Sequence, residues 1–344
     1  MRAIGYQQPA PLEDPTYLLD LTLPDPTPGP RDLLVSVEAI ALNPVDRKVR
    51  GRELPAAGGW RVLGWDAVGR VEALGQEVEG FRVGDRVWYA GALNRPGCHA
   101  ELHGVDARLA ALAPRSLEPA EAAALPLTAI TAWELLFDRL EIPQGPEAGA
   151  GQSLLVVGAA GGVGSVLLQL ARQLTGLTLI GTASRPASAA WARQCGAHHV
   201  INHRQPLRPQ LEALGLPFVD RVISLTHTGE HFEQLVDVLV PQGALALIDD
   251  PEPAAINVLA LKRKSLSLHW ELMFTRSLYG TADMAQQGQL LAQVAALVDQ
   301  GKVFSTARQQ LGLITAANVA AGHRLLASEA CIGKLVLAGW PTSP

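Results

Sequence analysis

Leu154-Leu155-Val156-Val157-Gly158-Ala159-Ala160-Gly161-Gly162-Val163-Gly164 runs from a continuous apolar segment straight into a glycine-rich turn. Val163, Val166, Leu167, Leu170 and Leu174 then recur at helical spacing until Gly176 ends the pattern. Strand, turn and helix follow without a break, the context in which such glycines predict a dinucleotide-binding βαβ unit. Glycine at 161 lets the backbone approach a pyrophosphate, and glycine at 164 lets the helix lie close on the sheet with its unpaired N–H groups aimed at the anion. Ala160, Gly161, Gly162, Val163 and Gly164 are therefore the expected phosphate cradle. Ala159 stands where the first glycine of GxGxxG is usual. A glycine turn that binds nothing is the rival reading.

About twenty residues on, at the end of the next strand, an NAD-selective site carries an acid for the ribose 2′-hydroxyl. This chain has Thr182-Ala183-Ser184-Arg185 instead. An Arg guanidinium grips a 2′-phosphate in a charge-assisted fork and a Ser hydroxyl adds one bond, so Ser184 and Arg185 predict NADPH. The alternative is a solvated charge at a helix start.

Similar units continue downstream, with strands at 177–180, 199–201, 221–225 and 244–248 and helices at 187–195 and 231–239. Such alternation specifies a doubly wound, mostly parallel sheet with helices on both faces. Ser265-Leu266-Ser267-Leu268-His269-Trp270 alternates strictly and reads as one more strand. Helices at 281–300 and 315–328 follow, then a strand-like 332–338. Upstream, the first hundred residues are β-rich, with short runs at 33–39, 62–74 and 86–89 set apart by Gly, Pro and Asp.

Composition narrows the function. The 344 residues are 48% hydrophobic and 18% charged, which fits a packed two-domain protein and excludes a disordered one. With 28 basic against 33 acidic side chains the net charge is −5, leaving no surplus for a nucleic-acid backbone. The three cysteines, Cys98, Cys195 and Cys331, build neither a disulfide framework nor a CxxC knuckle, so the reducing cytoplasm is the expected compartment. Met1 to Tyr6 runs quickly into prolines and acids and lacks a secretory apolar region, and the uncharged stretch 149–171 is broken by glycines, so neither export nor a membrane span is expected.

Six fragments taken in order identify a family: Leu42-Asn43-Pro44-Val45-Asp46, Leu63-Gly64-Trp65-Asp66-Ala67-Val68-Gly69, Val83-Gly84-Asp85-Arg86-Val87, Ala123-Ala124-Leu125-Pro126-Leu127-Thr128, Ala160 to Gly164, and Gly196-Ala197-His198-His199-Val200-Ile201-Asn202. Together they make nearly the whole chain resemble the medium-chain dehydrogenase/reductase superfamily, in particular its zinc-free quinone oxidoreductase branch and the related zinc-type alcohol dehydrogenase-like proteins. The resemblance implies a GroES-like barrel catalytic domain from 1–125 and 271–344, a Rossmann NADP(H)-binding domain at 126–270, an active-site cleft where they meet, and a homodimer joined through the sheet edge at Leu266 to Trp270.

It also implies site residues. Asn43 (a neutral donor) and Asp46 (an orienting group) are placed at the substrate cleft, an Asx-Pro turn with a capping Asp being their structural alternative. Trp65, Tyr89, Trp270 and Phe274 are candidates for an aromatic wall, or simply core, and Tyr89 for a proton donor. Thr131 matches a position on the nicotinamide side, Leu225-Thr226 and Ile248-Asp249 end strands on the cofactor edge, and Lys334 is a candidate second phosphate contact. His203 follows Asn202 where the family often has Tyr near the adenosine phosphate; it stacks on adenine, adds charge at low pH, or is solvated. The metal-dependent branch uses Cys, His-Glu and a later Cys or Asp as catalytic ligands. The matching positions here are Asn43, Trp65-Asp66 and the neighbourhood of Leu127-Thr128, a set that cannot make a tetrahedral N/S site, so no zinc is expected. His99 and His103 beside Cys98 are read as a polar loop rather than a metal cluster. The implied activity is hydride transfer from NADPH to quinones or α,β-unsaturated carbonyls, with a zinc-dependent alcohol dehydrogenase and a low-turnover NADPH-binding structural or regulatory protein as rivals.

Overall fold

A computed structural model describes residues 1–8, 10–55, 58–328 and 330–342. The chain divides into two compact units, one made of Met1–Ile130 with Phe274–Pro344 and the other of Thr131–Met273.

The first unit is built on strands. β1 (Arg2–Tyr6) pairs antiparallel with β2 (Leu19–Thr22) and with the short β4 (Arg61–Val62). β3 (Asp32–Ala41) is ten residues long and lies beside β5 (Ala67–Leu74) and β7 (Leu102–Asp106), while β6 (Arg86–Tyr89) joins β5 to β8 (Ala110–Leu112). The tail of the chain closes the same sheet: β16 (Lys334–Ala338) runs antiparallel to β3 and parallel to β15 (Ala307–Gln310), as Val336 faces Ala41. Alternation along β3 buries Leu33, Val35, Val37 and Ala39. Three short helices position the site. α1 (Pro44–Arg52) begins with proline, whose fixed φ and missing N–H suit the first helical position. α2 (Pro119–Ala123) and α3 (Pro126–Trp133) follow, and a π-helical turn at Glu134–Arg139 continues α3.

The second unit is the doubly wound sheet. Its strands are β9 (Ser153–Val157), β10 (Thr178–Thr182), β11 (His199–Ile201), β12 (Val219–Ser224), β13 (Leu239–Leu247) and β14 (Ser267–Trp270), all parallel, in the order β11-β10-β9-β12-β13-β14. All five residues of β9 are buried, which explains why its sequence is a continuous apolar run instead of an alternating one. α4 (Gly162–Leu174), α5 (Pro186–Gln194), α6 (Leu207–Ala213) and α7 (Thr228–Val238) connect the strands. Leu155, Val157, Val222, Phe232, Leu235, Leu245 and Leu247 belong to one buried cluster. The uncharged stretch 149–171 is thus strand, turn and helix, as its glycines suggest. Strand order reverses beside β9, and ligands of open α/β sheets bind at the carboxyl ends of the strands at such a point. The sequence-based helix at 281–300 is shorter, α9 (Gln286–Asp299), preceded by α8 (Thr275–Tyr279), and α10 (Ala316–Ala327) lies before β16.

Candidate active site

The glycine turn is held by contacts that differ at each position. Gly158 has φ +79°, where a side chain would be strained, and a Cβ there would press on Thr226 Cγ2 at 3.1 Å. A Cβ on Gly164 would stand 2.6 Å from the Gly158 carbonyl oxygen, so close packing of α4 on the turn demands glycine. Gly161 is different. Its φ is −75° and the nearest atom to a Cβ is 3.4 Å away, so neither backbone nor packing within the chain requires glycine. The start of a thirteen-residue helix, with its unpaired N–H groups, is a place where an anion such as a pyrophosphate suits the chemistry. Ser165 Oγ donates to Gly161 O at 2.6 Å and accepts from Trp191 Nε1 at 2.8 Å, which fixes the first turn.

Most of the other residues expected at a cofactor follow strands of this sheet at their carboxyl ends. Ser184, half-buried, and Arg185, exposed, follow β10, and among the described residues the Arg185 guanidinium has neither a hydrogen bond nor an ion pair. His203 follows β11 and its ring centroid lies 5.8 Å from that of His231. Both line a cavity of about 490 Å³ with Arg204, Glu230 and Gln234, and the His203 Nδ1 is buried with no partner among the described residues. Burial first, then the neighbouring His231 and Arg204, lower the His203 pKa and favour the neutral ring. Leu225 and Thr226 follow β12 and lie against Gly158, and Ile248 follows β13. Thr131 is buried on α3. The sequence reading missed His227, which adopts a left-handed φ of 53° and meets Thr226 Oγ1 through Nδ1 at 2.7 Å. Asp249, expected only as the end of a strand on the cofactor edge, accepts through its carboxylate from the Thr228 N–H at 2.9 Å and from the Thr228 hydroxyl, bracing the loop that carries Thr226. The only signal was the Thr-His-Thr run after an apolar strand.

In the first unit the structure corrects several expectations. Lys334 was expected at a phosphate. Its ammonium is instead buried and donates to Leu42 O at 2.9 Å, to Asp66 Oδ2 at 2.9 Å and to Asn43 Oδ1, which uses all three of its N–H groups. Asn43, expected to donate to substrate, is 1% exposed, with Nδ2 directed to Asp66 Oδ2 at 2.8 Å and, more weakly, to Ala41 O at 3.4 Å. Asp66 also accepts from the Leu127 N–H, at the start of α3, at 2.8 Å. Asp46 caps α1 by accepting from the Asn43 N–H at 2.7 Å, and complete burial pushes its pKa up to about 7. Burial likewise raises Asp66, which Lys334 pulls back.

Among the aromatic candidates, Trp65 and Phe274 meet edge-to-face, centroids 6.2 Å apart, with the indole N–H given to Ala92 O at 3.1 Å. Tyr89 is not an available proton donor: its hydroxyl meets His103 Nδ1 at 3.0 Å, the rings stack, and burial raises its pKa. Trp270 leaves the aromatic wall, being 53% exposed on β14 in the other unit. The polar loop expected at His99 and His103 is also corrected, because both rings are buried. The donor set does not fit the zinc that such a fold implies. Asn43 Oδ1 and Asp66 Oδ2 both face an ammonium, and neither the Trp65 indole nor the Leu127 side chain is a metal ligand.

Comparison with known proteins follows the same outline. Residues 29–114 match the family model for the alcohol dehydrogenase GroES-like domain, and 195–337 that for zinc-binding dehydrogenase. A zinc-type alcohol dehydrogenase-like protein of Staphylococcus aureus is 37% identical over 338 residues, 98% of this chain and 99% of the relative. A Pseudomonas aeruginosa quinone oxidoreductase is 33% identical over 318 residues, covering 90% of this chain and 92% of the relative. Among solved structures, a Rhizobium etli protein provisionally named a zinc-dependent alcohol dehydrogenase superposes with a TM-score of 0.95 at 48% identity, covering 99% of both chains. The Escherichia coli quinone oxidoreductase complexed with NADPH gives 0.81 at 25% identity, covering 98% of this chain and 100% of that one.

Proposed function

The chain belongs to the medium-chain dehydrogenase/reductase superfamily of oxidoreductases, and from that footing we propose that it is an NADPH-dependent, zinc-free reductase of quinones or related α,β-unsaturated carbonyls, cytoplasmic and homodimeric. The observation that carries this reading is the exposed, unengaged Arg185 at the end of β10, level with the glycine turn and with no carboxylate beside it at 182–185. The Pseudomonas relative named quinone oxidoreductase and the Escherichia coli structure holding NADPH support it.

When bound, the cofactor supplies a hydride from nicotinamide C4. The residues proposed to hold it are Ala160 to Gly164 for the pyrophosphate, Ser184 and Arg185 for the 2′-phosphate, His203 and Thr226 along the adenosine, and Thr131, Leu225 and Ile248 toward the nicotinamide. Asn43 and Asp46 act as internal struts of the catalytic unit, and Trp65 and Phe274, expected as an aromatic wall, are core residues at 1% and 2% exposure that pack on each other beneath the site. Lacking a strong Lewis acid, the site selects acceptors that are already electrophilic, which favours quinones and enones over simple ketones.

The test is steady-state NADPH oxidation across ortho-quinones, para-quinones and enones, with calorimetry on both coenzymes. Arg185→Ala is expected to weaken NADPH by about 1.5–3 kcal/mol and leave NADH nearly unchanged. Equal losses overturn the phosphate assignment. Tight NADPH binding without any acceptor-dependent rate favours the low-turnover binder.

A further inference from the structure

The positions matched to metal ligands converge in this chain on a lysine, and we propose that Lys334 is a built-in cation that locks these segments together and leaves no place for a divalent ion. The inference deepens the zinc-free reading above and rests on it.

Four separate segments meet at one buried carboxylate. The Leu127 N–H donates to Asp66 Oδ1 at 2.8 Å, and Asn43 Nδ2 and Lys334 Nζ donate to Oδ2 at 2.8 and 2.9 Å. The ammonium also holds Leu42 O and Asn43 Oδ1. The entry to α1, the loop before β5, the start of α3 and the first residue of β16 are thereby tied at a single point. A structural metal joins remote segments in the same way, through coordination bonds. Here charge-assisted hydrogen bonds do it.

The lock also accounts for metal exclusion. An ammonium has three donors, and each already faces an oxygen. A zinc ion could enter only by displacing that ammonium from its three oxygens, and the groups facing it there are a carboxylate, an amide and a backbone carbonyl instead of thiolates and imidazole. Truncating the lysine would leave the Asp66 carboxylate buried and unpaired beside a hole shaped for an alkylammonium.

The experiment combines metal analysis with chemical rescue. Wild-type protein is expected to purify without stoichiometric zinc and to melt at the same temperature with EDTA or added zinc chloride. Lys334→Ala is expected to melt lower by roughly 5 °C or more. n-Butylammonium chloride should raise that melting temperature saturably, with sodium chloride at equal concentration and the wild type as unresponsive controls. Should Lys334→Ala fail to fold, Lys334→Met is compared with Lys334→Met/Asp66→Asn, and the double variant is expected to melt above the single one because it leaves no unpaired charge. One zinc per chain, with a melting temperature that falls on its removal, overturns both the lock and the zinc-free reading. A Lys334→Ala protein indifferent to the amine, or a double variant no more stable than Lys334→Met, overturns the lock alone.

Discussion

Gly161 and Gly164 lie three residues apart in one motif and answer to different constraints. Gly164→Ala would drive a methyl group to 2.6 Å from a backbone oxygen that cannot swing aside, so chemical denaturation should show a loss of about 1–3 kcal/mol. Gly161→Ala meets nothing nearer than 3.4 Å, and its denaturation midpoint should stay at that of the wild type while NADPH affinity falls at least tenfold by calorimetry. An unaltered affinity would remove the pyrophosphate from this turn. The glycine turn was legible because its structure is local: strand, turn and helix start are consecutive in sequence. Lys334 was not. Gly333-Lys334-Leu335 gives no hint that the ammonium points inward, since its burial depends on β16 lying against β3 and on oxygens from Leu42, Asn43 and Asp66. Asn43 was misjudged for the same reason, as a donor toward substrate instead of a strut.

Elements with a strong period could be read, and elements without one could not. β9 and α4 stand within a residue of expectation because each has a clean apolar pattern bounded by glycine. β15, with the sequence Ala-Arg-Gln-Gln, carries no apolar signal. α1 was hidden in a charged stretch, Asp-Arg-Lys-Val-Arg, whose helicity is set by Pro44 and the Asp46 cap more than by amphipathicity. β14 was visible from its alternation, and its placement at the end of the sheet leaves one long side of it without a partner strand among the described residues. Trp270 on that strand is 53% exposed. If β14 is the proposed dimer edge, Trp270→Glu should weaken self-association by tenfold or more in sedimentation velocity without changing the melting temperature of the monomer. A wild-type chain that sediments as a monomer would remove the edge from that role.

At the scale of the molecule, buried titratable groups of opposite kinds share the first unit. Burial lowers His99 and His323 to about 3 and His103 to about 4, with the rings of His323 and His103 adding to the effect at His99, Arg95 at His103, and Arg47 and Arg50 at His323. Their unfolded counterparts bind protons below about 6.5, so the stability they contribute is full above that pH and drains away as pH falls toward 3 or 4, by up to about 3 kcal/mol per ring at pH 4. Asp46 works the other way: its contribution is full below about 4 and is lost as pH rises through 7, up to about 4 kcal/mol. Neither His99 nitrogen has a hydrogen-bond partner among the described residues, which makes phenylalanine a fair replacement. His99→Phe should gain on the wild type progressively as pH is lowered from 6.5 to 4, whereas Asp46→Asn should gain as pH is raised from 4 to 8. Urea titrations across that range check both, and flat differences would mean that these groups are not buried as described. The wide sequence separation of the lysine lock has one further consequence, for biosynthesis. Asp66 and Lys334 are 268 residues apart, and the sheet-forming middle of the chain lies between them. A ribosome therefore completes the doubly wound sheet while the acid already emerged still waits for its counter-charge, so the flanking portion gains this fastening only once residue 334 has been made.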